Sequence, residues 1–172
     1  MAVQEQIWHV DENDQEIGQQ GRDDSRMTGE RYRMVRVSIE DDEGNVLLQK
    51  RLETKKSYPG CWDTSAGGNV DYPEPYKEAA ERELGEETGI WDVPLEEVAY
   101  FYGEVVEGDK KMNRFTKVYR AIVARTVEVV PQPEEVAELR WMTRAELEEV
   151  IYEGHITDGL KQTARHYYGI TI

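Results

Sequence analysis

Two periods of apolar residues organise the chain. Val35, Val37 and Ile39 alternate with other residues, and Tyr76, Ala80 and Leu84 stand four apart. The first period predicts a half-buried strand beginning near Tyr32, and the second predicts the buried stripe of a helix. Asp41, Asp42, Glu43, Gly44 and Asn45 form a polar stretch that reads as a hairpin turn. The next run, residues 46–51, reads as a buried strand ending in Lys50 and Arg51. Residues 57–63 read as a turn leading into Thr64-Ser65-Ala66-Gly67-Gly68. Residues 74–88 are rich in helix formers, with Pro73 and Pro75 at the start, where a missing N–H does little harm. Gly89 supplies the stop, where a left-handed residue is wanted.

The flanks follow the same logic. Residues 7–10 read as a short strand, residues 11–14 as a turn, and Glu16-Ile17-Gly18 as the return of a hairpin. Residues 19–30 are polar and read as a loop. Trp8 is expected to anchor this segment on the main body, with His9 structural or exposed. Beyond the helix, residues 98–106 and 115–123 read as strands joined by a turn at 107–111, with Tyr100, Phe101 and Tyr102 expected in the core. Residues 127–130 are expected to extend the sheet. A loop at 132–135 precedes a strand at 136–142. Thr143 with Glu146 three residues on forms a capping box that opens a helix, which Gly154 ends. Residues 158–168 form a last helix. Strands and helices alternate irregularly, which predicts an α/β fold with a mixed sheet between helical layers. The whole of 1–172 reads as one domain, with an N-terminal hairpin and extension at 1–30 and a core at 31–172.

Charge changes the picture. The chain carries a formal net charge of −15, with 36 acidic and 21 basic residues. That balance argues against nucleic acid and anionic membranes as partners. A phosphate-bearing ligand would need a metal and a local basic patch. No apolar run approaches the ~18 residues of a membrane span. The first ten residues lack a basic start and an apolar middle, so no signal peptide is expected. A single cysteine excludes an internal disulfide and suits a reducing cytoplasm. Cys61 has no histidine in its segment to lower its pKa, so it reads as structural. His155 and His166 have no partner at ligand spacing.

The candidate chemistry lies on the 74–88 helix. Glu83, Glu86 and Glu87 stand at i, i+3 and i+4, so three carboxylates are expected to converge within one turn. Like charges at such spacing repel, and the negative end of the helix dipole worsens matters. A solvated acidic face in an acidic protein would carry the same residues. A hard cation such as Mg²⁺ or Mn²⁺ would explain them better, because such ions take several oxygen ligands and share them with phosphates. Arg82 can fix a neighbouring carboxylate. Lys50, Arg51, Lys55 and Lys56 put four cations within seven residues. Arg51, with Lys50 or Lys55, is expected to contact a diphosphate.

Gly68, Glu74, Arg82, Glu83, Leu84, Glu86, Glu87, Gly89 and Ile90 fill every fixed position of G-x5-E-x7-R-E-U-x-E-E-x-G-U, where U is a bulky aliphatic residue. The stretch therefore resembles the Nudix box. The resemblance implies the Nudix α/β/α sandwich, with the box as a loop and helix at the sheet edge. It implies Glu83 and Glu87 as direct metal ligands and Glu86 as a ligand or a partner through water. It also implies a metal contact from the backbone carbonyl of the Gly67–Gly68 loop, and Glu74 and Arg82 as orienting groups. Nudix proteins commonly place another metal-linked glutamate before a late tryptophan strand, which implies Glu135, with Glu138 in reserve. The general base is then Glu86 or Glu135.

Leu47-Leu48-Gln49-Lys50-Arg51 and the run from Tyr58 to Gly68 resemble the Nudix branch near isopentenyl-diphosphate isomerase, over roughly residues 7–147. That branch has a catalytic cysteine where this chain has Gly67, and histidines at Asn69 and near Tyr32. Its glutamate pair falls near Met112 and Arg114. These departures speak against alkene isomerisation. The resemblance implies metal-dependent hydrolysis of X-diphosphate-Y to X-phosphate and phosphate-Y, with a small-molecule diphosphate as the partner. A non-catalytic nucleotide-binding or regulatory domain is the alternative, and it would be expected to lose box carboxylates. The N-terminal segment is the candidate surface for a homodimer.

Overall fold

The computed structural model describes residues 3–172; Met1 and Ala2 of the N-terminal extension lie outside the described residues. The chain opens with an antiparallel hairpin of β1 (Gln6–Val10) and β2 (Glu16–Gly21). Asp14 at its turn is the docking point. It accepts hydrogen bonds from Tyr76 Oη (2.8 Å), Tyr100 Oη (2.7 Å) and Arg33 Nε (2.7 Å), and it is buried. A buried carboxylate costs several kcal/mol unless it is paired in this way. Trp8 donates through Nε1 to the carbonyl of Glu74 at 2.7 Å, so it anchors the hairpin beside the acidic helix.

The polar stretch expected as a loop at 19–30 is structured instead. Its first residues complete β2, and the rest form helix α1 (Arg22–Thr28), closed by Gly29 in a left-handed conformation. The helix was hidden because it has no apolar stripe. Its one buried side chain is Ser25, which donates to the Arg22 carbonyl at 2.7 Å.

The main sheet is mixed. It comprises β3 (Tyr32–Glu40), β4 (Val46–Arg51), β5 (Trp62–Asp63), β6 (Ala66–Asn69), β7 (Glu96–Glu107), β8 (Lys110–Ile122) and β9 (Val136–Met142). The strand path is β5-β4-β3-β8-β7, with β6 on β3 and β9 on β4. β3 and β8 run parallel, and the other pairs are antiparallel. β3 is central and buried on both faces, not on one as its alternation suggested. Four of its polar side chains find partners: Arg33 with Asp14, Arg36 with Asp63, Ser38 with Tyr168 and Glu40 with Tyr167, while the buried Tyr32 Oη has none among the described residues.

Helices cover both faces. Val35, Val37, Ile39 and Leu47 pack with Ala79, Ala80 and Leu84 of α2 (Tyr76–Thr88). Val46, Leu48 and Met142, on the other side, pack with Leu147 and Ile151 of α3 (Arg144–Glu153) and Leu160 of α4 (Asp158–Thr163). Each large apolar side chain buried here contributes about 1.5–3 kcal/mol. The capping box at Thr143 and Glu146 is present. A π-helical turn, Ala164–Tyr168, continues α4. Residues 127–130 do not extend the sheet. Val127 and Val129 pack on the α2 side of the core, and Val130 N–H donates to the carbonyl of Thr88 at 2.9 Å. β7 is an edge strand, so Tyr100 and Tyr102 stay partly exposed rather than entering the core.

One topological detail prepares the site. β4 pairs with β3 only at Ile39 and Glu40, while β6 takes the same edge of β3 from Met34 to Val37. β4 therefore leaves β3 and opens a wedge between itself and β6.

Candidate active site

Helix α2 begins at Tyr76, two residues later than its composition suggested. Pro75 caps it, and Glu74 stays outside to do other work. The Glu74 carboxylate accepts the Asp71 N–H at 2.9 Å and two bonds from Arg82, at 2.7 and 3.1 Å. Arg82 also donates to Glu83 (2.9 Å), Glu86 (3.2 Å) and the Asn69 carbonyl (3.2 Å). The bonds to Glu74, with the charges of Glu83 and Asp71, hold this guanidinium charged well beyond its ordinary range. Arg82 thus ties the helix to the loop that precedes it. Gly89 ends the helix at φ 75°, as its place in the sequence required.

The three carboxylates divide rather than converge. Glu83 lies against Gly68 with its side chain 13% exposed. Glu86 points outward, half exposed, toward Arg82. Glu87 turns the other way and accepts the backbone N–H of Gly67 at 2.7 Å. Among the described residues, no three His, Cys, Asp or Glu side chains form a ready metal cage. Arg82 accounts for this by drawing Glu83 and Glu86 to itself.

The donors still fit a hard divalent ion in kind and in charge. Burial pushes the Glu87 carboxyl up to about 8, and the charges of Glu83 and Asp63 add to the effect. Burial also raises Glu83. Two half-buried acids that resist ionisation beside further carboxylates form a site that a cation would relieve. Gly67 pairs with Arg36 of β3 but spends its N–H on Glu87, so it occupies a non-hydrogen-bonded position of the ladder. Its carbonyl points the same way as its N–H, away from β3 and toward the wedge.

The wedge is a cleft of about 420 Å³, with Gly67, Glu87 and Asp63 in its wall. Seven cationic side chains line it: Arg22, Arg26, Arg36, Arg51, Lys55, Lys110 and Arg114. Five carboxylates face them: Asp63, Glu87, Glu107, Glu135 and Asp158. In a chain of net charge −15 this is a local reversal of sign. A low-dielectric cleft focuses such a field on an anionic ligand.

Arg51 and Lys55 lie in the cleft as expected. Lys50 does not: adjacent strand residues face opposite ways, and its ammonium sits 5.8 Å from the Trp62 ring centre on the other side of β4. Glu135 lines the cleft and pairs with Lys55 at 2.7 Å. The reserve, Glu138, pairs with Arg140 at 2.7 Å and is not among the lining residues. Cys61 has its thiol pushed up by burial, which suits a structural role.

Four cleft arginines escaped the reading of the sequence: Arg22, Arg26, Arg36 and Arg114. Arg36 carried a signal. It interrupts Val35 and Val37 in a strand buried along almost its whole length, and a charge in such a place must be paired or used. Its guanidinium reaches Asp63 at 3.4 Å and lies over Gly159, where any β-carbon would collide with it. Asp63 is itself fixed by the Thr64 N–H and the Thr157 hydroxyl, both at 2.8 Å. Arg22, Arg26 and Arg114 reach the cleft through tertiary packing alone, and no spacing announces them.

Comparison with known proteins agrees with this geometry. Residues 30–160 match the family model described as NUDIX domain. A protein of Streptomyces coelicolor named as an uncharacterized Nudix hydrolase is 37% identical over 157 residues, covering 91% of this chain and 84% of that protein. The crystal structure of DR0079 from Deinococcus radiodurans aligns with TM-score 0.76 at 24% identity, over 95% of this chain and 99% of that one. The NUDIX domain of Shewanella oneidensis NrtR, solved in complex with ADP ribose, aligns with TM-score 0.57 at 21% identity, over 77% and 85% of the two chains.

Proposed function

The chain belongs to the Nudix family, and from that premise we propose that it is a metal-dependent hydrolase splitting an organic diphosphate, X-diphosphate-Y, into X-phosphate and phosphate-Y. The observation that carries the reading is the meeting of two opposite walls in one cleft. The acidic wall is Glu87 on Gly67, and the basic wall includes Arg36 and Arg51.

In this proposal Glu83, Glu86, Glu87 and the Gly67 carbonyl would hold Mg²⁺ or Mn²⁺. When bound, such an ion supplies positive charge to the diphosphate oxygens and acidity to the attacking water. Arg36, Arg51 and Lys55 bind and orient the diphosphate by charge-assisted hydrogen bonds. Glu74 acts through Arg82, which sets the rotamers of Glu83 and Glu86. Glu86 or Glu135 takes the proton of the water. The water oxygen bonds to phosphorus, and the bridging oxygen leaves with the electron pair of the broken anhydride bond.

Three features weigh against isomerisation. Tyr32 and Asn69 are buried where that chemistry would need histidines, and Arg114 is committed to Asp158 at 3.0 Å. Retention of every box carboxylate weighs against a purely binding role. The test is turnover of a panel of nucleotide, sugar and isoprenoid diphosphates, including ADP ribose, with Mg²⁺, with Mn²⁺ and with chelator. Metal-dependent release of a phosphate monoester supports the reading. Inertness toward the whole panel refutes it.

A further inference from the structure

The cations of the cleft are not equally engaged. Arg36 pairs with Asp63, Lys55 with Glu135, Arg114 with Asp158, and Arg22 with Glu5 at 3.0 Å. Arg26, Arg51 and Lys110 have no ion pair among the described residues. Arg51 donates only to the Ser57 carbonyl, at 3.0 Å. Arg26 lines the cleft, and its Nε is closed off without a hydrogen-bond partner among the described residues, so the charge of this guanidinium is not neutralised by a carboxylate of the wall. A cation so placed is free to serve an anionic ligand.

These groups come from distant parts of the chain. Arg22 and Arg26 stand four apart on α1, hence on one side of it. Lys110 opens β8 at the tip of the β7–β8 hairpin. Contacts hold α1, the β7–β8 hairpin and the loop after β4 together beside the cleft. The Asn113 amide donates to the Gly29 carbonyl at 2.9 Å, and Ser57 Oγ donates to Glu107 at 3.3 Å. Glu107, opposite Lys110 in the hairpin, offsets part of this charge, and an anion held by Arg26 and Lys110 offsets the rest.

We propose that α1 and the β7–β8 tip form a second anion subsite, in which Arg26 and Lys110 hold a phosphate monoester carried by the substrate away from the anhydride that is cleaved. The hydrolase reading enters only in calling the ligand a substrate. The site makes the enzyme selective for diphosphates bearing an additional phosphate over the same compounds without it. Arg22, on the same side of α1, is held by Glu5.

The probe is inorganic triphosphate, titrated calorimetrically into the full chain at low salt with chelator, so that neither metal nor turnover contributes. Wild type binds it. Arg26→Ala and Lys110→Ala each weaken binding at least about tenfold, the scale of a lost charged hydrogen bond. Arg26→Lys recovers part of the loss. Lys77→Ala, on the exposed side of α2, leaves binding unchanged. No binding by wild type, or equal binding by wild type and Arg26→Ala, overturns the subsite. Triphosphate binding that depends on Arg26 in a protein inert toward every organic diphosphate keeps the subsite and removes the hydrolase. Turnover in a protein indifferent to Arg26 does the reverse.

Discussion

The carboxylate of Glu83 lies against the bare Cα of Gly68, where a β-carbon would overlap both carboxylate oxygens. Gly68 does not have a left-handed φ, so alanine is acceptable to its backbone. What must yield in Gly68→Ala is the end of one flexible side chain. The expected outcome is a fold close to wild type in thermal unfolding, with kcat/KM lowered about 10- to 100-fold, the usual cost of disturbing a group that orients a metal ligand. Unchanged activity would show that the position of Glu83 does not matter.

Lys50 and Arg51 are neighbours with opposite faces, and they separate position from charge. Arg51→Ala is expected to raise KM for the diphosphate by about tenfold, through loss of a charged contact. Lys50→Ala removes the same formal charge on the other side of β4 and leaves KM unchanged. Steady-state kinetics of the two variants at equal ionic strength make the comparison.

Asp71 gives a pH signature apart from the carboxylates of α2. Burial, reinforced by the neighbouring Glu5 carboxyl and opposed by Arg82, pushes it up to about 7. The folded protein then keeps a proton that the unfolded chain releases near 3.8. This group's contribution to stability is present at low pH and is lost as pH rises to about 7. Asp71→Asn should leave thermal stability unchanged at pH 4. At pH 8 it should raise the melting temperature by about 2–4 °C, a modest gain because the side chain is 34% exposed and solvent screens it. Unfolding curves at the two pH values check the sign.

What the sequence revealed was local. The α2 stripe, the Gly89 stop and the Thr143 capping box rest on contacts within a few residues, so their spacing announces them. Residues 127–130 have the composition of a strand but not its place, because the core beside α2 claims their side chains. α1 lacks the apolar period by which helices are found, yet it supplies Arg22 and Arg26 to the cleft. The box residues were legible as a pattern. The turning of Glu87 toward Gly67, and of Glu83 and Glu86 toward Arg82, was not, since helical spacing sets directions on a cylinder and not the partners waiting there.

The most direct measurement is hydrolysis of an organic diphosphate in ¹⁸O-labelled water by wild type and by Glu87→Gln. The account predicts that, with Mg²⁺, wild type places one ¹⁸O in a phosphate monoester product and that chelator stops the reaction. Glu87→Gln is expected to lose on the order of 10²-fold in rate or more, as when a group that stabilises transition-state charge is removed. Label incorporation that persists in chelator, or a Glu87→Gln rate equal to wild type, would contradict it.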